Sequence, residues 1–206
     1  MNIAVLGTGM VGEAIASRSV ALGHDVMMGS RTRQNPKALA WSSRAGVRAK
    51  AGDFGDAAAF GAIVFNCTHG EASLDALHAA GAERLAHKIL IDVANRLPPN
   101  LRGGESLGEQ IQRAFPETRV VKTLNTVNCE LMANPGLLPG THSIFLSGND
   151  AAAKAEVRHL LEAFGWRDVI DLGGIETARA TESLLDAWLA LYRALGTARF
   201  NFAITR

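Results

Sequence analysis

Asn2-Ile3-Ala4-Val5-Leu6 is a short apolar run, and glycines follow it at Gly7, Gly9 and Gly12. A helical pattern then runs from Glu13 to Leu22 and ends at Gly23. A G-x-G-x-x-G held between a strand and a helix constrains the fold more than anything else in the chain. The first glycine permits a tight turn, the second lets the backbone approach a pyrophosphate, and the third lets the helix pack close to the strand. The free N–H groups at the helix start face an anion. This opening therefore predicts a dinucleotide-binding βαβ unit.

The end of the next strand narrows the dinucleotide. His24 to Met28 reads as that strand, with Gly29-Ser30-Arg31-Thr32-Arg33 as the loop after it. A site for NAD places an acid there to hold the ribose 2′-hydroxyl. Here the position carries Gly29 and Ser30, with Arg31, Arg33 and Lys37 following. A guanidinium can hold a 2′-phosphate through two hydrogen bonds, whereas a carboxylate would repel it. Ser30 can add a donor. The loop predicts preference for NADP(H).

The remaining pattern alternates strands and helices, which predicts an α/β fold: a Rossmann-type, doubly wound, mostly parallel sheet. Asn35-Pro36 starts a second helix. Val47 to Ala49 reads as a peripheral strand, and Asp53 caps a helix through Phe60. Ala62 to Phe65, Lys88 to Val93 and Arg119 to Leu124 are further strands. The stretch from Arg96 to Gly104 is a candidate lid. Ser106 and Glu109 form a capping box. Residues 1–126 are expected to be the nucleotide-binding domain, and 127–206 a small C-terminal α/β lobe forming the acceptor cleft. In that lobe Ser143 to Gly148 and Trp166 to Leu172 read as strands, with an Asp150-capped helix between them. Ala180, Leu184, Ala187, Trp188, Leu191 and Leu195 recur at helical spacing over Glu176–Leu195. This stripe suits either the chain's own core or a dimer seam, and core is the expectation.

Composition excludes several classes. The formal net charge of +1 recruits neither nucleic acid nor an anionic membrane. Two cysteines make no disulfide framework. The first apolar run stops at Gly7, so it reads as a strand and not as a signal peptide, and no apolar stretch approaches a membrane span. A cytoplasmic protein is the expectation.

Ligands of doubly wound sheets bind beyond the carboxyl ends of the strands. Those ends here carry Asn66-Cys67-Thr68-His69-Gly70, Asn95 and Asn125-Thr126. Their amides and hydroxyls suit a ribose, a nicotinamide carboxamide or a polar second ring. Cys67 follows a buried strand and reads as packed. His69 is a candidate proton donor. No cluster of His, Cys and acidic residues suggests a metal. Hydride transfer between two stacked rings asks the protein for alignment, while the cofactor supplies the chemistry.

The chain resembles the NADP oxidoreductases of the coenzyme F-420-dependent type, F-420 being a 5-deazaflavin. The resemblance rests on Ile3 to Gly12, Gly29-Ser30-Arg31, Ile91 to Asn95, Ser106 to Gln112, Val121 to Thr126 and Phe164-Gly165-Trp166, and it continues through Phe200-Asn201-Phe202. It implies that Thr8, Gly9, Met10 and Val11 touch the pyrophosphate. It further implies that Ser30, Arg31 and Arg33 hold the 2′-phosphate, and that Asn66, Cys67 and Thr68 lie along the nicotinamide half. A homodimer is also implied. Archaeal members that use the deazaflavin carry His where this chain has Asn125, a departure that leaves the acceptor open; the expected acceptor is F-420, a flavin or a quinone-like ring. Asn125 and His69 are the catalytic candidates. The alternatives are a reductase of small imines or oxo substrates and a non-catalytic NADP(H) sensor. Relatives of the imine type usually add a large helical domain, and only about eighty residues follow Thr126 here.

Overall fold

The fold is described from a computed structural model covering residues 1–97 and 104–206. Most of the expected lid, Arg96 to Gly104, lies outside the described residues. Six parallel strands form the main sheet in the order β3-β2-β1-β4-β5-β6. They are β1 (Asn2–Leu6), β2 (Asp25–Ser30), β3 (Ala49–Asp53), β4 (Ile63–Asn66), β5 (Ile89–Asp92) and β6 (Arg119–Lys122). Helices α1 (Met10–Ala21), α2 (Pro36–Ala45), α3 (Phe54–Phe60), α4 (Ser73–Ala80), the short α5 (Ala82–Leu85) and α6 (Leu107–Ala114) connect or follow them. The order reverses between β1 and β4, and that switch point is where such sheets bind ligands.

Both faces of the sheet are covered, because successive side chains on each strand point to opposite sides. Ile3 and Val5 join one apolar cluster with Trp41, Phe65 and Phe164. Ala4 and Leu6 join another with Leu77, Leu90 and Ile111. The first cluster continues into the C-terminal residues through Leu131, Ile144, Val157 and Trp166. Those residues form α7 (Cys129–Ala133), β7 (Ser143–Leu146), α8 (Ala151–Phe164), β8 (Asp168–Asp171) and α9 (Ala178–Leu195). Strands β7 and β8 pair in parallel as a separate sheet. A single antiparallel bridge, Lys122 to Ser147, ties it to the end of β6. Asn201 Nδ2 and the Phe202 carbonyl bond to Ser143, so the expected terminal clasp lies on β7.

Several local readings hold in detail. Asn35 accepts from the N–H groups of Lys37 and Ala38 at the start of α2. Ser106 and Glu109 form their capping box on α6. Asp150 caps α8, and Gly165 closes it with φ of 112°.

Three differ. Strand β2 continues through Gly29 and Ser30 instead of ending at Met28. Gly29 serves packing there, since a Cβ would come within 2.8 Å of the Ala57 Cβ on α3. Strand β3 lies at Ala49–Asp53, later than expected, and Val47 is exposed. Ala-Lys-Ala-Gly-Asp has little strand propensity, so pairing with β2 decides.

The stripe on α9 does not enter the chain's own core. Helix α9 packs on α6, and its buried residues, Ala178, Thr181 and Leu185, all lie in its first half. Ala180, Ala187, Leu191 and Leu195 are exposed, while Leu184 and Trp188 are half-buried. The helix runs past the edge of the packed layers, and its periodicity alone carried no information about which surface it meets.

Candidate active site

The turn after β1 has little room. Gly7 adopts φ of 121°, and a Cβ there would sit 2.5 Å from the Cys67 carbonyl oxygen. Gly12 at the start of α1 leaves no space for a Cβ against the Gly7 carbonyl. Gly9 is different: it caps α1 and has nothing within 4 Å of where a Cβ would be. Backbone is thus pressed against backbone on both sides of an open approach, as a pyrophosphate requires. Thr8, Gly9 and Met10 border a groove between α1 and α2 that also reaches Lys37 and Arg44. Met10 is 80% exposed, and Val11 is half-buried.

The 2′-phosphate candidates behave unequally. Ser30 is buried, and its hydroxyl donates to the Thr32 carbonyl at 2.6 Å, shaping the loop. Arg31 is exposed and forms no ion pair among the described residues. Arg33 is committed: Nε and Nη2 donate to Asp56 at 2.6 and 2.7 Å, and Nε lies 3.3 Å from Asp53.

Beyond the fingerprint, a cleft of about 680 Å³ opens at the ends of β4, β5 and β6. Met10 and Val11 border it beside Thr68, Asn95 and Asn125. Asn95 and Asn125 hold each other across the strand ends. Asn95 Nδ2 donates to the Asn125 carbonyl at 2.6 Å, and Asn125 Nδ2 donates to Asn95 Oδ1 at 3.1 Å. Thr68 donates to Asn66 Oδ1 at 2.6 Å. His69 stands at the rim with its side chain 62% exposed and Nδ1 2.5 Å from Glu71. That neighbour also accepts from the Leu97 N–H.

One sequence reading, that of Asn66, needs correction in detail, while Cys67 is packed as read. Asn66 is fully buried, and its Nδ2 donates to Asp92 and Ser73. It reaches a ligand only through Thr68, because its polar atoms are spent inside. Cys67 borders the cleft but is no activated nucleophile. Burial and, after it, the Asp92 charge push its thiol far above the usual range.

The far wall comes from residues that strand-end reasoning missed: Leu185, Trp188, Tyr192 and Arg199. Trp188 stacks on Tyr192 and on Phe200, with ring centroids 5.6 and 5.3 Å apart. Its indole N–H is buried without a partner among the described residues. A buried donor without an acceptor is costly. With the cradle at Gly9 and a free Arg31, the residues fit NADP(H).

A further omission lies beneath the cleft. Lys122 and Asp92 are wholly buried, with Nζ 2.8 Å from Oδ2. Lys122 also donates to the Ala94 carbonyl and lies 3.0 Å from Glu182 on α9. Glu182 accepts from the N–H groups of Leu107 and Gly108 at the α6 N-terminus. The signal was present in the sequence: a charge inside each of two apolar strands, Ile-Leu-Ile-Asp and Val-Val-Lys.

Residues 2–96 match the family model described as NADP oxidoreductase, coenzyme F-420-dependent. A crystal structure of a provisionally assigned F-420-dependent NADP-reductase from Arthrobacter sp. FB24 is 50% identical, covers 99% of each chain and superposes with TM-score 0.92. Metalloreductase STEAP3 of Rattus norvegicus is 31% identical over 197 residues, covering 91% of this chain and 38% of its own length. The chain thus spans about two fifths of the length of the curated relatives it matches. A reductive aminase from Aspergillus terreus, solved with NADPH and ethyl-5-oxohexanoate, shares the fold. Its identity is 19%, its TM-score 0.71, and it covers 94% of this chain and 62% of its own.

Proposed function

Because the chain belongs to the family of coenzyme F-420-dependent NADP oxidoreductases, we propose that its cleft aligns NADP(H) with a flat ring acceptor for direct hydride transfer. The family brings NADP-dependent oxidoreduction; the acceptor is our reading, and it is deazaflavin F-420, a flavin or a quinone-like ring. The observation that carries it is the 680 Å³ cleft, which opens directly off Met10 and Val11 and is walled by the Trp188–Tyr192 stack. Aromatic faces and an apolar surface favour a planar ligand, and stacking fixes its distance from a neighbour.

Bound NADPH supplies the hydride from the nicotinamide ring. The chain supplies alignment. Gly7 to Gly12 hold the pyrophosphate, and Arg31 holds the 2′-phosphate. The interlocked Asn95 and Asn125 present neutral amide edges to the cleft and orient the rings. Cys67 and Val93 close the floor. His69, on the rim of the cleft, donates a proton to the acceptor ring as the ring takes up the hydride, and regains one from solvent. The two free thiols, Cys67 and Cys129, suit a reducing cytoplasm, and no helix among the described residues is long and apolar enough to cross a membrane. The exposed α9 face is the seam we assign to a homodimer.

The test is an acceptor screen following NADPH oxidation with F-420, flavins and quinones. Turnover with one of these rings and none with small imines or oxo acids is the expected result. Turnover only with the small substrates would overturn the reading.

A further inference from the structure

Arg33 faces two acids fixed on a rigid element. Strand β3 pairs with β2 so that Asp53 stands opposite Ser30. Asp53 caps α3 by accepting from the Asp56 N–H at 2.8 Å, and Asp56 accepts in return from the Asp53 N–H at 3.1 Å. Asp56 then grips Arg33 through both carboxylate oxygens, the same fork a phosphate would use. The Arg33 hydrogen bond holds the Asp56 carboxyl down to about 2, so it stays charged throughout the neutral range. Two negative charges meet one positive charge here. Arg31 and Arg84 border the same cavity of about 470 Å³, and Arg84 is turned to the Ala80 carbonyl and Glu83.

We propose that Asp56 is a specificity-determining residue that restrains NADP preference by withholding Arg33 from the 2′-phosphate. The proposal rests on the reading of Arg31 as the 2′-phosphate ligand. A phosphate brought to Arg33 meets Asp53 and Asp56 at close range, and like charges there oppose it. Arg31 is left to discriminate.

The experiment measures NADPH and NADH dissociation constants by titration of the folded protein. Asp56→Asn keeps a carbonyl for the Asp53 N–H and removes the charge. It is expected to tighten NADPH by about five-fold, at the upper end for an exposed ion pair, and to move NADH by less than about two-fold. The gain is expected to vanish when Arg33→Ala is added. Unchanged or weaker NADPH binding in Asp56→Asn, or a gain that survives without Arg33, would overturn the proposal.

Arg33→Ala alone gives a second arm should Asp56→Asn fold poorly. It is expected to cost less than about two-fold in NADPH affinity, because the guanidinium is already neutralised. A loss near ten-fold contradicts the proposal. Failure of the underlying reading looks different: Arg31→Ala would then shift NADPH and NADH alike.

Discussion

Lys122 Nζ lies 2.8 Å from Asp92 Oδ2, and neither side chain reaches solvent. Glu182, reaching in from α9, completes a buried charge chain that ties the C-terminal helix to the nucleotide-binding sheet. Removing one member of such a pair strands the other charge, at about 3–5 kcal/mol. Lys122→Ala is therefore expected to lower unfolding free energy by that amount in urea titrations. Lys122→Met paired with Asp92→Leu is expected to recover much of it.

The same lysine sets an alkaline limit. Burial alone would lower its pKa, but Asp92 and Glu182 outweigh burial and raise it above 10.5. A raised folded pKa contributes stability that is complete below the unfolded value and lost as pH rises through the folded one. The wild-type protein is expected to lose more stability above pH 10.5 than the Lys122→Met, Asp92→Leu double variant.

Glu109 sets an acid limit. Burial would raise its carboxyl, but hydrogen bonds from Arg179 and Ser106 prevail and hold it at about 2. A depressed folded pKa contributes stability present above the usual 4.5 and lost as pH falls from there toward 2. Glu109→Gln keeps the capping box and removes the charge that Arg179 holds, so it is expected to cost up to about 1 kcal/mol at neutral pH and to flatten the acid limb of the stability curve.

Arg31 is expected to decide between the two nicotinamide dinucleotides. A charge-assisted bond to phosphate is worth about 1.5–3 kcal/mol, so Arg31→Ala weakens NADPH binding by roughly ten- to a hundred-fold. NADH binding, measured in the same titration, is expected to hold.

Leu191 and Leu195 are 39% and 56% exposed on the outer face of α9. The dimer reading predicts that Leu191→Glu with Leu195→Glu converts a dimer to a monomer in light scattering. A monomeric wild-type protein at the same concentration would rule it out.

Legibility followed the range of the interactions. Gly7 to Gly12, the Ser106–Glu109 box and Asp150 are local devices, and each was readable from a few neighbouring residues. Asn66 was readable as a strand end but not as buried, because its partners Asp92 and Ser73 come from other segments. Arg33 read as a phosphate ligand, and its pairing with Asp56, 23 residues on, was not legible because the two meet only in the fold. The α9 stripe gave a correct helix and a wrong surface, since helical period does not say what an apolar face meets. The Trp188–Tyr192 wall was missed for the same reason.

The central claim is ring-to-ring hydride transfer in the cleft walled by Trp188, and following an isotope is its most direct test. NADPH carrying deuterium at the transferable C4 position is mixed with F-420, a flavin or a quinone and the enzyme, and the reduced acceptor is analysed by mass spectrometry for F-420 or by isotope effect on the stopped-flow rate for the others. The account predicts deuterium at the acceptor carbon of reduced F-420 or a primary isotope effect with another ring, and a marked loss of rate in Asn125→Ala. Absence of any enzyme-dependent transfer to all three ring classes would contradict it.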